Sequence, residues 1–85
     1  MAFESKYIIA DIVGNPTPIV FPDLLVHAEV ASAFGVNRSG VSGAGFCTID
    51  DSGYRCYGKS VSLKVDSNYD ADSKILNRRL GVTTE

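Results

Sequence analysis

The chain has 85 residues, eight basic and ten acidic, with a formal charge of -2. A single domain of this size buries only about 60–65% of the surface its unfolded form exposes, so its core is small and oligomerisation would help it. Hydrophobic residues make up 45% and charged residues 21%, which excludes a disordered segment. An isoelectric point near 5.2 argues against a general nucleic-acid binder, whose phosphate contacts need a basic face.

The opening MAFESKYIIADIVG lacks the basic start and apolar core of a secretory signal, and no run approaches the roughly 20 apolar residues of a membrane span. A cytoplasmic protein is therefore expected, with an ordered core over about residues 6–80 and a frayed end at 82–85. Lys6 to Val13 is rich in β-branched and aromatic residues and stops at Gly14-Asn15-Pro16, which predicts a first strand and a turn. Thr17 to Phe21, bounded by Pro18 and Pro22, predicts a short edge strand. Between Asp23 and Phe34, Leu24, Ala28, Ala31 and Phe34 recur at helical spacing, joined by Val26, Val30 and Ala33, with Gly35 placed as the C-cap.

Val36 to Gly45 is small and polar and reads as a loop by default, followed by a strand over Gly45 to Ile49. Asp50-Asp51-Ser52-Gly53 is a hairpin signal. Tyr54 to Val65 is then expected as one strand, alternating Val61, Leu63 and Val65 against Ser60, Ser62 and Lys64. The last helix opens on Ser67-Asn68-Tyr69-Asp70, a variant capping box, and closes on Arg78, Arg79 and Gly81, with Tyr69, Ile75, Leu76 and Leu80 inward. The order β-β-α-β-β-α describes an α+β domain, a small, mainly antiparallel sheet with two helices packed on it.

His27 to Ala44 also fits a helix-turn-helix, with Ala31 at the helix crossing, Gly35 in the turn, and Asn37, Arg38 and Ser39 leading a recognition helix. Gly40, Gly43 and Gly45 oppose this, because each interior glycine costs about 1 kcal/mol of helix relative to alanine.

Three blocks, PIVFPDLLVHAEVA (18–31), SGAGFCTI (42–49) and CYGKSVSLKV (56–65), together resemble a group of small uncharacterised proteins of tailed phages and prophages. The resemblance implies a phage source and a strand over Gly45 to Ile49, where such relatives start a strand on an Ala-Gly-Phe segment. Small phage accessory proteins often act in counter-defence, binding a host protein or a host signalling nucleotide, and the expected location becomes the host cytoplasm.

Candidate chemistry is sparse. His27 is the single histidine, and near a helix start it reads as a capping or interface residue before a general base. Cys47 and Cys56, the two cysteines, lack a context that lowers a thiol pKa and, with one histidine, make no zinc set. A glycine bulge at Gly53 is expected to turn Cys56 away from Cys47 and leave both thiols free, whereas a two-residue Asp51-Ser52 turn would set them face to face. GYRCYGKS (53–60) matches the phosphate-loop pattern literally, but the alternating residues after it are strand-like where that loop must open a helix.

Arg55, Tyr57 and Lys59 share one parity of the expected strand, so they would project from one side, able to stack on a base and pair with a phosphate. Arg38 or His27 could join them across an interface. The sequence thus predicts a non-enzymatic, cofactor-free, homo-oligomeric binding protein that sequesters a small anionic, nucleotide-derived ligand. Direct inhibition of a host defence protein and helix-turn-helix regulation of DNA through residues 27–44 are the alternatives.

Overall fold

A computed structural model describes residues 3–80, with the expected frayed end at 82–85 lying outside them. Four strands, β1 (Phe3–Ile12), β2 (Asn15–Phe21), β3 (Val41–Asp50) and β4 (Gly53–Tyr57), form an antiparallel sheet in the order β2-β1-β3-β4. A ribbon of β5 (Lys59–Ser60) and β6 (Val65–Asp66) stands beside it. Helix α1 (His27–Ala33) and helix α2 (Tyr69–Leu80) complete the α+β fold.

β1 is central, and Tyr7, Ile8, Ile9 and Ala10 are all buried. An uninterrupted apolar run is what a strand covered on both faces requires. On one face Ile8, Ala10, Phe21 and Ala44 pack with Val30 and Ala31 of α1 and with Leu63. On the other, Tyr7, Ile9, Cys47 and Cys56 pack with Leu76 of α2. Each fully buried branched aliphatic side chain contributes about 1.5–3 kcal/mol by leaving water.

Five local expectations are corrected. Helix α1 begins at His27, not Asp23, because Pro22 to Leu25 makes a turn closed by the Leu25 N–H on the Pro22 carbonyl (3.1 Å), leaving Leu24 88% exposed. Its far end follows expectation: Gly35 takes φ +74, and the N–H groups of Gly35 and Val36 close on the carbonyls of Ser32 and Ala31.

Residues 41–45, expected as loop, belong to β3. Their smallness serves packing: a Cβ on Gly43 would collide with the Asp72 carboxylate, and one on Gly45 would lie 2.5 Å from the Tyr57 carbonyl oxygen. The helix-turn-helix geometry fails at the same place, since Arg38–Gly40 is one 3-10 turn that leads into β3, with no recognition helix.

The strand expected from Tyr54 to Val65 breaks at Gly58, whose φ of +76 an L side chain rarely adopts. Beyond it Ser60 is buried, Val61 is 78% exposed and Leu63 is buried, so the expected alternation fails. The Leu63 N–H donates to Ser60 Oγ, closing a turn instead of extending a ladder.

At α2 the capping side chain is Asn68, not Ser67. Its Oδ1 accepts from the Ala71 N–H, and Asp72 Oδ2 in return accepts from the Asn68 N–H (3.1 Å). Ser67 Oγ instead meets the Tyr7 hydroxyl at 2.7 Å. Within α2, Leu76 is buried and Ile75 packs beside it, while Leu80 remains 41% exposed.

The β1–β2 hairpin turns through Val13 (φ +53) and Gly14 (φ +80). A β-branched residue is poorly suited to that region, where asparagine is common, and Val13 is 92% exposed, so no packing is lost on replacing it. Val13→Asn should therefore stabilise the chain by about 1 kcal/mol, read as a higher urea midpoint at unchanged slope.

Candidate functional site

Sheet register decides which polar side chains meet. Lys6 stands opposite Phe46, and Phe46 opposite Tyr57, so three strands place these residues in one cross-strand row. The Phe46 and Tyr57 rings stack at 6.0 Å between centroids. The Lys6 ammonium lies 6.0 Å from the Phe46 centroid, within reach of a cation–π contact, and donates to the Leu25 carbonyl at 2.8 Å.

Beside that row is a cleft of about 300 Å³ bounded by Lys6, His27, Phe46, Lys59 and Ser62, with Val26 and Val61 at its sides. Its floor is rigid. His27 is buried, its ring edge-on to both Phe21 and Phe46 at 5.5 and 6.0 Å. The Gly45 carbonyl can only accept, so the 2.8 Å contact assigns the proton to His27 Nε2. Ser62 Oγ accepts from the Ala28 N–H, supplying the N-terminal partner that Val26, the residue preceding α1, lacks a side chain to provide.

Burial lowers the His27 pKa from its ordinary 6.5, with the Gly45 carbonyl opposing that shift and Lys6 reinforcing it. A histidine depressed in the folded state takes up its proton more readily on unfolding. Its contribution to stability is therefore complete above pH 6.5 and is lost as pH falls from there through the folded value. Urea midpoints measured downward from pH 7 should show this loss, and His27→Gln should flatten it.

The expected site residues divide between two places. His27 and Lys59 line the cleft, together with Lys6 and Phe46, which sequence reasoning missed. Arg55 and Tyr57 line a second groove of about 520 Å³ between β4 and α2, with Lys74 and Asp70 on its helix side. The positive φ at Gly58 ends the shared parity, so Lys59 sits on β5 beyond the turn. Arg38 is exposed on the 3-10 turn and borders neither space within its own chain, so it could join the group only from a second copy.

The second groove is already partly neutralised. Arg55 lies 3.9 Å from Asp50, and the Tyr57 hydroxyl donates to Glu4. Partial burial and that carboxylate push the Tyr57 phenol up to about 12. The outer edge of β4 is also capped: the Tyr54 N–H donates to Asn77 Oδ1, Asn77 Nδ2 donates back to the Tyr54 carbonyl, and the Cys56 N–H donates to Ser73 Oγ. Two α2 side chains four residues apart thus occupy the positions an incoming strand would need.

The phosphate-loop match at 53–60 has no helix after it, since Lys59 and Ser60 form β5. Among the described residues no three histidine, cysteine, aspartate or glutamate side chains cluster as metal ligands. No helix among them is long and apolar enough to cross a membrane. The chain matches no protein-family model, and neither curated proteins nor solved structures include a significant match to it.

Proposed function

We propose that this chain is a non-catalytic binding protein that captures a small anionic ligand with an aromatic or apolar portion, a nucleotide-derived molecule being the best fit. The observation that carries the reading is the convergence of Lys6 and Lys59 on a cleft walled by Phe46. Among the described residues neither lysine has a carboxylate within 4.0 Å, the single ion pair being that of Arg55 with Asp50. On a chain of net charge -2, two uncompensated ammonium groups beside a π-face make a local anion site. A volume near 300 Å³ is at the small end of ligand sites and suits a mononucleotide-sized guest.

Sequestration of a host signalling nucleotide in the host cytoplasm, as part of phage counter-defence, is the role this chemistry would serve. Native mass spectrometry of the protein purified from phage-challenged, defence-active cells tests it. A retained adduct of nucleotide mass supports capture, and a captured protein supports direct inhibition instead. A chain free of both counts against either role.

Self-association belongs to the same proposal. Val26 and Val61 border the cleft, and Leu24, Leu25, Val26 and Val61 are 88, 44, 41 and 78% exposed. A second copy over this rim would remove apolar surface from water and shut the cleft from solvent. Light scattering at tens of micromolar should report at least a dimer, and a stable 9.1 kDa species would refute the association.

A further inference from the structure

We infer that Cys47 and Cys56 form a redox pair, closing a reversible cross-strand disulfide when the chain meets a low-molecular-weight disulfide oxidant. The inference is independent of the ligand proposed for the cleft. It rests on register: Asp50 pairs with Gly53 across a two-residue turn, and the ladder then sets Cys47 directly opposite Cys56. The glycine bulge expected at Gly53 does not form. Asp50 Oδ1 accepts the Ser52 N–H at 2.8 Å, so the reversal is completed within Asp51 and Ser52.

The Cys56 N–H points outward to Ser73 Oγ at 2.9 Å and away from β3. The two cysteines are thus a pair without its own ladder hydrogen bonds, the kind whose Cα atoms approach to about 4.5 Å. That separation lies within the roughly 4.4–6.8 Å that a disulfide spans. Both thiols are free and buried.

Access is unequal. Cys56 lines the groove between β4 and α2, with Arg55 and Lys74 at the same groove, whereas Cys47 does not border it. The groove carries both signs, with Asp70 beside Lys74 and Arg55 3.9 Å from Asp50, which suits a zwitterionic disulfide such as oxidised glutathione, whose carboxylates and ammonium groups can meet both. The Cys56 thiolate attacks one sulfur of the oxidant, forming a Cys56 mixed disulfide, breaking the oxidant's S–S bond and expelling one thiolate. Cys47 then attacks Cys56 Sγ, forming the Cys47–Cys56 bond and expelling the second thiolate. The two cysteine protons end on the two released thiols, the protein loses two electrons and the oxidant gains them. Burial pushes both thiols up, Cys47 to about 12, so the exchange is slow at neutral pH.

The test equilibrates the reduced, folded full chain with graded reduced and oxidised glutathione, quenches in acid, alkylates and measures intact mass. The expected product is a monomeric chain two mass units lighter, restored by dithiothreitol. Its ratio to the dithiol form should exceed that of the same chain in denaturant by about tenfold or more at equal buffer poise, because the fold holds the thiols together. Cys47→Ser should accumulate one glutathione at Cys56, and Cys56→Ser should accumulate none at Cys47. Two stable glutathione adducts on the wild type, or a ratio no greater folded than denatured, would overturn the pairing. Faster labelling of Cys56→Ser than of Cys47→Ser would overturn entry through Cys56.

Discussion

Gly45→Ala should cost about 3 kcal/mol of stability, at the upper end of what overpacking produces. A Cβ at this position would lie 2.5 Å from the Tyr57 carbonyl oxygen and 3.2 Å from both the Gly58 carbonyl carbon and the Lys59 nitrogen, all main-chain atoms that no rotamer change can move. Relief requires the β4–β5 crossover to shift as a unit, against the Ser67 N–H bond to the Gly58 carbonyl (3.0 Å) and the His27 bond to the Gly45 carbonyl (2.8 Å). For a domain of 85 residues the total stability is on the order of 4–13 kcal/mol, so the loss is a large fraction. Urea unfolding of the variant should show a markedly lower midpoint, and an unchanged midpoint would mean that the crossover does not press on β3.

The second large effect concerns binding. Replacing both Lys6 and Lys59 with alanine should weaken nucleotide capture by more than a hundredfold, since each charge-assisted contact removed costs about 1.5–3 kcal/mol. Lys59 is exposed and Lys6 only half-buried, so the fold should tolerate the change, at the cost of the single Lys6 bond to the Leu25 carbonyl. Calorimetric titration of a nucleotide into the double variant, beside its thermal melt, separates the two effects. Arg55→Ala, on the neighbouring groove, should bind as the wild type does. Equal loss in both variants would move the site to β4 and α2.

Much of the fold was legible because its signals are local. The run Tyr7 to Ala10, the Gly35 cap and the acidic-to-basic gradient of α2 depend on neighbours a few residues away. The Asp50–Gly53 turn was legible for the same reason, but whether Gly53 began the strand or bulged out of it was not, and that single residue decides which side chain Cys47 faces. Val41 to Gly45 misled because small residues signal a loop when read alone. Here they are small because Asp72 and the β4–β5 crossover press against them, partners far away in sequence.

The site was half legible for a related reason. His27 and Lys59 stood out as scarce or cationic groups beside aromatic ones. Lys6 and Phe46 become neighbours only through the pairing of β1 with β3, across 40 residues of chain. The grouping of Arg55 with Lys59 assumed an unbroken strand, and Gly58 at φ +76 breaks it.

The claim that the Lys6–Phe46–Lys59 cleft is an anion-binding site is tested most directly by titrating a mononucleotide into isotopically labelled protein and following backbone amide shifts. Saturable changes concentrated at Lys6, His27, Phe46, Lys59 and Ser62, with Thr48, Arg55 and Lys74 undisturbed, are the predicted result. Saturable shifts confined to the groove between β4 and α2, or no saturable shift up to millimolar concentrations of any nucleotide, would contradict it.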